Sequence, residues 1–327
     1  MTRSTDISTV AVLVPGRLHP RAVSKVGEAF DMVTIERADP ALIDEKLRQS
    51  VRGIAAMTRI DAAFIDSLPA LEIIASFGVG YDSVDARHAA SRGVVVTNTP
   101  DVLTEEVADT TIGLLINTVR ELSRAETYLR EGRWAAQGPY PLTRGTLRGR
   151  KVGILGMGRI GRAIARRLEG FGLPIAYHNR SPVEGLPYPY HSTLEGLATE
   201  VDTLISVAPG GAATEKIVNG RILAALGKDG VFINIGRGST VDEDALAEAL
   251  AKGTILAAGL DVFSDEPNVP PALLPLPNAT LLPHVGSASD YTRNAMADLV
   301  VDNLVSWFST GKALTPVPES AALVGEN

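Results

Sequence analysis

Lys151-Val-Gly-Ile-Leu-Gly156-Met157-Gly158-Arg159-Ile160-Gly161 reads as a strand, a glycine turn and a helix start, and the helical run Arg162-Ala-Ile-Ala-Arg-Arg-Leu168 continues it. Gly156 can take the tight turn, Gly158 lets the backbone approach a phosphate, and Gly161 lets the helix lie close to the sheet. The helix N-terminus then offers an anion its free N–H groups and the positive end of its dipole. Three glycines at this spacing also arise in ordinary turns. The β-α-β context from Lys151 to Tyr177 makes this one a dinucleotide pyrophosphate site, with Gly156, Gly158, Arg159 and Ile160 as its contacts.

The end of the next strand selects the dinucleotide. An acid there holds the ribose hydroxyls of NAD and repels a 2′-phosphate. About 20 residues beyond the turn, where that acid is expected, Pro174-Ile-Ala-Tyr177 runs into His178-Asn179-Arg180-Ser181, with no acid. Asn179 and Ser181 can donate to a phosphate, and Arg180 adds a fixed cation with a fork of donors. An Arg after a strand is commonly a solvated residue; the missing acid and the neighbouring donors favour NADPH/NADP as cofactor, with NADH/NAD weaker. Arg159 either adds charge to the same pocket or is a solvated residue of the helix start.

Composition bounds the partners. A chain of 327 residues with 45% hydrophobic content has material for about two domains. Lys+Arg 31 against Asp+Glu 38 gives a formal charge of −7, so neither nucleic acid nor an anionic membrane surface is the expected partner. The absence of cysteine excludes disulfides, cysteine nucleophiles and thiolate metal sites, and no metal site is expected. It is compatible with a reducing cytoplasm. The apolar run Val10–Val14 is short, is closed by Pro15-Gly16 and lacks a signal-like cleavage pattern, so it reads as the first strand of a soluble, cytoplasmic protein.

Apolar runs alternate with helical patterns along the chain, the order of a parallel sheet covered by helices. The first half has runs at Val10–Val14, Met32–Ile35, Gly53–Met57, Ile73–Ser76 and Val94–Thr97; later ones are Thr203–Val207, Val231–Ile235, Ala257–Val262 and Thr280–Leu282. One long helix is expected from Glu105 to about Arg130, with Thr104 as N-cap and Glu105 and Glu106 in the first turn. Another runs from Asp290 to about Phe308 and ends near Gly311. The fold class is therefore α/β, with two doubly wound parallel-sheet domains and a site at the carboxyl ends of their strands.

Strand ends supply the reactive candidates. Ser76-Phe-Gly78-Val79-Gly80-Tyr-Asp either offers amides as a small anion nest or is a tight turn entering a helix at Val84. Ile233-Asn-Ile235-Gly236-Arg237-Gly238 puts an arginine between glycines, where a guanidinium can grip a carboxylate through two bonds. Ala258-Gly-Leu-Asp261-Val-Phe-Ser-Asp265-Glu266-Pro267 places acids beyond another strand, where most acids are surface residues or caps. Leu281-Leu-Pro283-His284-Val-Gly286-Ser287 gives one of only 5 histidines, which alone is as often a packed residue as a catalyst.

In that order, Gly236-Arg237-Gly238, Gly-Leu-Asp261-Val-Phe through Asp-Glu266-Pro, and Pro-His284-Val-Gly286-Ser together resemble the D-isomer-specific 2-hydroxyacid dehydrogenase family. The resemblance covers nearly the whole chain, including the glycine turn, Phe77-Gly-Val-Gly80 and the closing helix. Within the family, Asn179-Arg180-Ser181 and Gly286-Ser-Ala288-Ser are similar to glyoxylate/hydroxypyruvate reductases that use NADPH. The resemblance implies a flavodoxin-like substrate domain from residues 1–104 and 291–327, with a Rossmann cofactor domain, 105–290, inserted. It implies crossing helices that act as hinges, a cleft that closes to exclude water, and a homodimer paired through the cofactor domain.

The implied chemistry is hydride transfer from the reduced nicotinamide to the carbonyl of a short 2-oxo acid, giving the D-2-hydroxy acid. His284 would be the acid in reduction and the base in oxidation, oriented by Glu266. Arg237 would bind the carboxylate and polarise the carbonyl. The amides of Val79 and Gly80 would also hold the carboxylate. Asp261 would contact the nicotinamide carboxamide; Val207, Ala208, Pro209, Ile235 and Gly286 would line the cofactor cleft with Arg237 and His284. In the resembling glyoxylate reductases an aromatic residue after a Gly-x-Trp element caps the partner's substrate. Here Trp134 is followed by Ala135-Ala-Gln137-Gly-Pro-Tyr140, so Gln137 or Tyr140 would take that place, and a larger acid such as hydroxyphenylpyruvate or 2-ketogluconate stays open. So does a reading from another class, the dinucleotide-sensing corepressors of the same superfamily, which bind peptides.

Overall fold

The computed structural model describes residues 6–324; residues 1–5 and 325–327, which the sequence assigns to the substrate domain, lie outside the described residues. The chain divides into two compact units, one formed by residues up to Leu103 together with those from Ser289 onward, the other by Thr104–Ala288.

The first unit is built on five parallel strands, β1 (Ala11–Pro15), β2 (Asp31–Ile35), β3 (Val51–Ala56), β4 (Ile73–Ser76) and β5 (Val95–Thr97), in the order β2-β1-β3-β4-β5. The inner strands are continuous apolar runs because helices cover both faces of a parallel sheet. Val12, Leu13, Ile54, Ile73 and Ile74 are fully buried, whereas β2 at the edge is half-exposed. The closing helix, Asp290–Thr310, is capped by Ser289 and stopped by Gly311 at φ 80°. Its Leu304 and Phe308 side chains lie where a Cβ on Gly53 of β3 would come within 3.3 and 3.1 Å.

The second unit carries six parallel strands, β6 (Val152–Leu155), β7 (Ile175–His178), β8 (Thr203–Ser206), β9 (Val231–Asn234), β10 (Ala257–Leu260) and β11 (Ala279–Leu281), in the order β11-β10-β9-β8-β6-β7. A parallel bridge between Tyr177 and Tyr190 extends the sheet beyond β7. Strand order reverses at β6, between β7 and β8, and ligands of doubly wound sheets bind at the carboxyl ends beside such a switch point.

Two local expectations fail. The helix expected from Glu105 to Arg130 is two helices, Thr104–Arg120 and Leu122–Arg130, separated by Glu121 at φ 53°. The Asn117 side chain fastens the break, accepting from Ser123 N at 2.8 Å and donating to Ser123 Oγ at 2.8 Å. Thr104 is not a side-chain cap: it is the first helical residue, and its hydroxyl is buried without a partner. Glu105 does lie in the first turn, where it pairs with Arg166 and Arg167.

Candidate active site

The glycine turn follows β6 directly. Gly156 has φ 101°, and a Cβ there would sit 3.0 Å from the Val207 carbonyl carbon, so only glycine lets the turn pass the end of β8. Gly161, in the first turn of the helix Arg159–Glu169, would place a Cβ 2.2 Å from Gly156 O. Gly158 is that helix's N-cap, and a Cβ on it would meet nothing within 4 Å: the turn is open on the side where a phosphate has to approach. Ile160 is half-buried and Arg159 is exposed. Open glycine backbone before an eleven-residue helix fits a dinucleotide pyrophosphate.

Asn179, at the end of β7, is half-buried, and its Oδ1 accepts from Met157 N at 2.7 Å. That bond ties the ribose end of the site to the glycine turn and fixes the amide orientation, leaving Nδ2 as a donor. Tyr190 OH braces the same segment at Asn179 O, 3.2 Å away. Arg180 and Ser181 are exposed beside it, and no carboxylate stands at the strand end. Beyond β8, Val207 is half-buried, Ala208 buried and Pro209 exposed. Ile235, after β9, is buried.

The Gly236-Arg237-Gly238 loop owes its shape to a residue the sequence reading passed over. Buried Asn234 accepts from Gly236 N at 3.1 Å and donates to Arg237 O at 3.0 Å, closing the turn on itself. Gly238 lies so close to the next loop that a Cβ would fall 1.9 Å from the Phe263 carbonyl carbon. Arg237 is half-buried, braced through Nη1 on Gly236 O at 2.8 Å.

Glu266 and His284 meet as expected: imidazole Nδ1 lies 2.6 Å from Glu266 Oε2. Burial alone would raise the Glu266 carboxyl, but the bonds from His284 and from Phe263 N, together with the charges of His284 and Arg237, hold it below its usual range. Glu266 is therefore a carboxylate at neutral pH, and its stabilising bond is lost only as pH falls through that lowered value. A carboxylate only accepts, so Nδ1 carries the hydrogen and Nε2 is the ring atom left for proton exchange. Asp265 is exposed.

Asp261 is buried, and its two oxygens accept from Val285 N at 2.7 Å and Gly286 N at 2.8 Å. Burial raises its carboxyl, against the opposing pull of those two bonds. The carboxamide contact expected of it thus shares the group with the backbone beyond His284.

In the first unit, Gly78 stands at φ 150° and donates to Thr99 Oγ1 at 3.1 Å, while Asn98 Nδ2 donates to Val79 O at 2.7 Å. The Val79 and Gly80 N–H groups have no acceptor among the described residues of that unit. The expected helix at Val84 starts instead at Ala86, because Asp85 is the cap, accepting from His88 N at 3.0 Å.

A family model for the D-isomer specific 2-hydroxyacid dehydrogenase, NAD binding domain, matches residues 112–286. The chain belongs to the D-isomer specific 2-hydroxyacid dehydrogenase family. Its dehydrogenase relatives include a glyoxylate/hydroxypyruvate reductase of Arabidopsis thaliana, 47% identical over 85% of this chain and 89% of the relative. A hydroxyphenylpyruvate reductase of Plectranthus scutellarioides is 46% identical over 82% and 86%. Among solved structures, the NADPH-dependent glyoxylate/hydroxypyruvate reductase of Sinorhizobium meliloti, in complex with NADP and malonate, superposes with a TM-score of 0.94 at 61% identity, covering 96% of this chain and 98% of that one.

The dehydrogenase segment after Trp134 is only partly open. Tyr140 OH donates to Glu121 Oε2 at 2.8 Å and its ring packs edge-on against Tyr128, so Tyr140 is held within its own unit. Gln137 and Trp134 are exposed. Among the described residues no helix is long and apolar enough to cross a membrane, and no group of three or more His, Cys, Asp or Glu side chains could hold a metal ion.

Proposed function

We propose that this chain reduces a short 2-oxo acid, glyoxylate or hydroxypyruvate, to the D-2-hydroxy acid, glycolate or D-glycerate, with NADPH as the preferred reductant. The cluster of His284, Glu266 and Arg237 carries the reading: it joins a proton-exchanging ring to a carboxylate-binding cation at the strand ends of a dinucleotide-binding sheet. The 61% identity to an NADPH-dependent glyoxylate/hydroxypyruvate reductase selects the substrate class within the family.

NADPH, when bound, supplies the hydride to the carbonyl carbon. Gly156, Gly158, Arg159 and Ile160 hold its pyrophosphate, and Asn179 Nδ2, Arg180 and Ser181 take the 2′-phosphate. Val207, Ala208, Pro209, Ile235 and Gly286 wall the cofactor. Arg237 grips the substrate carboxylate and draws electron density from the carbonyl oxygen. The Val79 and Gly80 N–H groups are donors suited to a carboxylate. His284 donates its Nε2 proton to the carbonyl oxygen, and Glu266 stabilises the imidazolium before transfer and fixes the ring.

The domain boundaries follow the same reading, a substrate domain from 1–104 and 291–327 around a cofactor domain, 105–290. The chain acts as a homodimer through the cofactor domain, in the cytoplasm. Support for pairing comes from Leu129, Trp134 and Leu142, 52%, 61% and 98% exposed on the segment that follows the first long helix. Leu129 and Trp134 line one open recess with Tyr128 and Pro139, and a contiguous exposed apolar patch marks an interaction surface.

Product analysis with NADPH tests the substrate assignment. Hydroxypyruvate should be converted to D-glycerate, and glyoxylate to glycolate, faster than phenylpyruvate or 2-ketogluconate is turned over. Turnover confined to a larger acid would overturn the substrate but keep the mechanism. Cofactor binding without turnover of any acid would mark a sensor.

A further inference from the structure

His284 has its backbone in the left-handed region, at φ 53°. A side-chain-bearing residue is strained there and stays only where its surroundings over-determine it. Four hydrogen bonds do so. His284 N donates to Asp261 O at 2.9 Å; Val285 N and Gly286 N donate to the two Asp261 carboxylate oxygens at 2.7 and 2.8 Å. The fourth comes from outside the loop: Thr110 Oγ1, on the helix Thr104–Arg120, donates to Gly286 O at 3.1 Å.

That last bond is not what helical threonine ordinarily does. Its hydroxyl tends to fold back on the carbonyl one turn earlier, as the adjacent Thr111 does to Val107 O at 2.7 Å. Thr110 instead spends its hydroxyl on a residue 176 positions away. The helix is a firm support. It lies so close to β10 that a Cβ on Gly259 would come 2.4 Å from Thr118 Oγ1. Gly286 leaves as little room, since a Cβ there would come 2.9 Å from Asp261 Oδ2.

We propose that Thr110 and Asp261 form a clamp on the Val285-Gly286 turn that holds His284 in its strained conformation and so aims Nε2. Thr110 is a positioning residue acting through His284, Asp261 has this role beside the carboxamide contact expected of it, and the proposal rests on His284 as the proton donor. Asp261 fixes the two amides that follow the histidine; Thr110 fixes the carbonyl of the same turn to a different element.

Thr110→Val keeps the side-chain shape and removes only the donor; Thr110→Ser restores it. In cofactor-free protein, hydrogen exchange at the Val285 and Gly286 amides should quicken in Thr110→Val and return to the wild-type rate in Thr110→Ser. In steady state Thr110→Val should lower kcat by about threefold to tenfold, the worth of one hydrogen bond, with KM for the 2-oxo acid unchanged and kcat recovered in Thr110→Ser. Combined with His284→Ala, Thr110→Val should cost nothing further. Unchanged exchange, a defect that serine does not rescue, or an equal loss in the His284→Ala background would overturn the clamp. Near-normal turnover of His284→Ala alone would instead overturn the proton-donor reading, and amide exchange would still judge the clamp by itself.

Discussion

His284→Ala is expected to lower kcat for hydroxypyruvate reduction by about 10²-fold to 10⁴-fold, the range removed with a general acid, while NADPH binds almost as before. The two effects separate because the pyrophosphate and 2′-phosphate contacts assigned to the glycine turn and Asn179-Arg180-Ser181 do not involve the imidazole. The alternative role for a histidine at a strand end is structural, and it would lower stability rather than turnover. The ring is only partly buried, with 45% of its side chain exposed and its Nδ1 bonded to Glu266, so little packing is lost on truncation. Steady-state kinetics, with NADPH affinity read from nucleotide fluorescence, checks this. Turnover within a few-fold of wild type would remove His284 from the mechanism.

Arg237→Ala should lower kcat/KM for the 2-oxo acid by about 10²-fold to 10³-fold, in line with losing a charged group aimed at a developing oxyanion. Both parameters should suffer. The guanidinium is assigned to the carboxylate, which is present before and during reaction, and to the carbonyl oxygen, whose charge grows only in the transition state. Arg237→Lys should recover only part of the loss, since a point charge cannot reproduce the two-pronged grip. The loop itself should survive, because Asn234, not the Arg237 side chain, closes the turn. Initial rates over a range of hydroxypyruvate concentrations decide it. A defect in NADPH KM with normal handling of the acid would assign Arg237 to the cofactor instead.

The strands were legible because a parallel sheet covered by helices needs continuous apolar runs, and Val10–Val14, Ile73–Ser76 and Val231–Ile235 have no other economical reading. The glycine turn was legible for a related reason: its close contacts lie in the backbone, and only glycine permits them. What escaped depends on partners distant in the chain. Nothing around Glu121 signals a helix break, since the bond that fastens it runs from Asn117 to Ser123. Asn234 reads in the sequence as an ordinary strand residue, and only the folded loop brings its side chain onto Gly236 N and Arg237 O. Asp261 read as a cofactor contact from its motif, but its occupancy by Val285 and Gly286 amides requires β10 and the His284 loop to be side by side. Thr110 carried no signal, being one of two adjacent threonines of which only one reaches across. Asn179 reads in the sequence as a phosphate donor standing where an acid is expected, whereas its bond to Met157 N shows how a neutral residue there also holds the glycine turn.

The most direct measurement is kcat/KM for hydroxypyruvate with NADPH and with NADH, in wild type and Arg180→Ala side by side. Wild type should turn over both and favour NADPH. Arg180→Ala should lose most of its rate with NADPH and little with NADH, because Arg180 is assigned to the 2′-phosphate that only NADPH carries. Equal losses with the two dinucleotides would contradict that assignment, and absence of hydroxypyruvate reduction with either would contradict the proposed function itself.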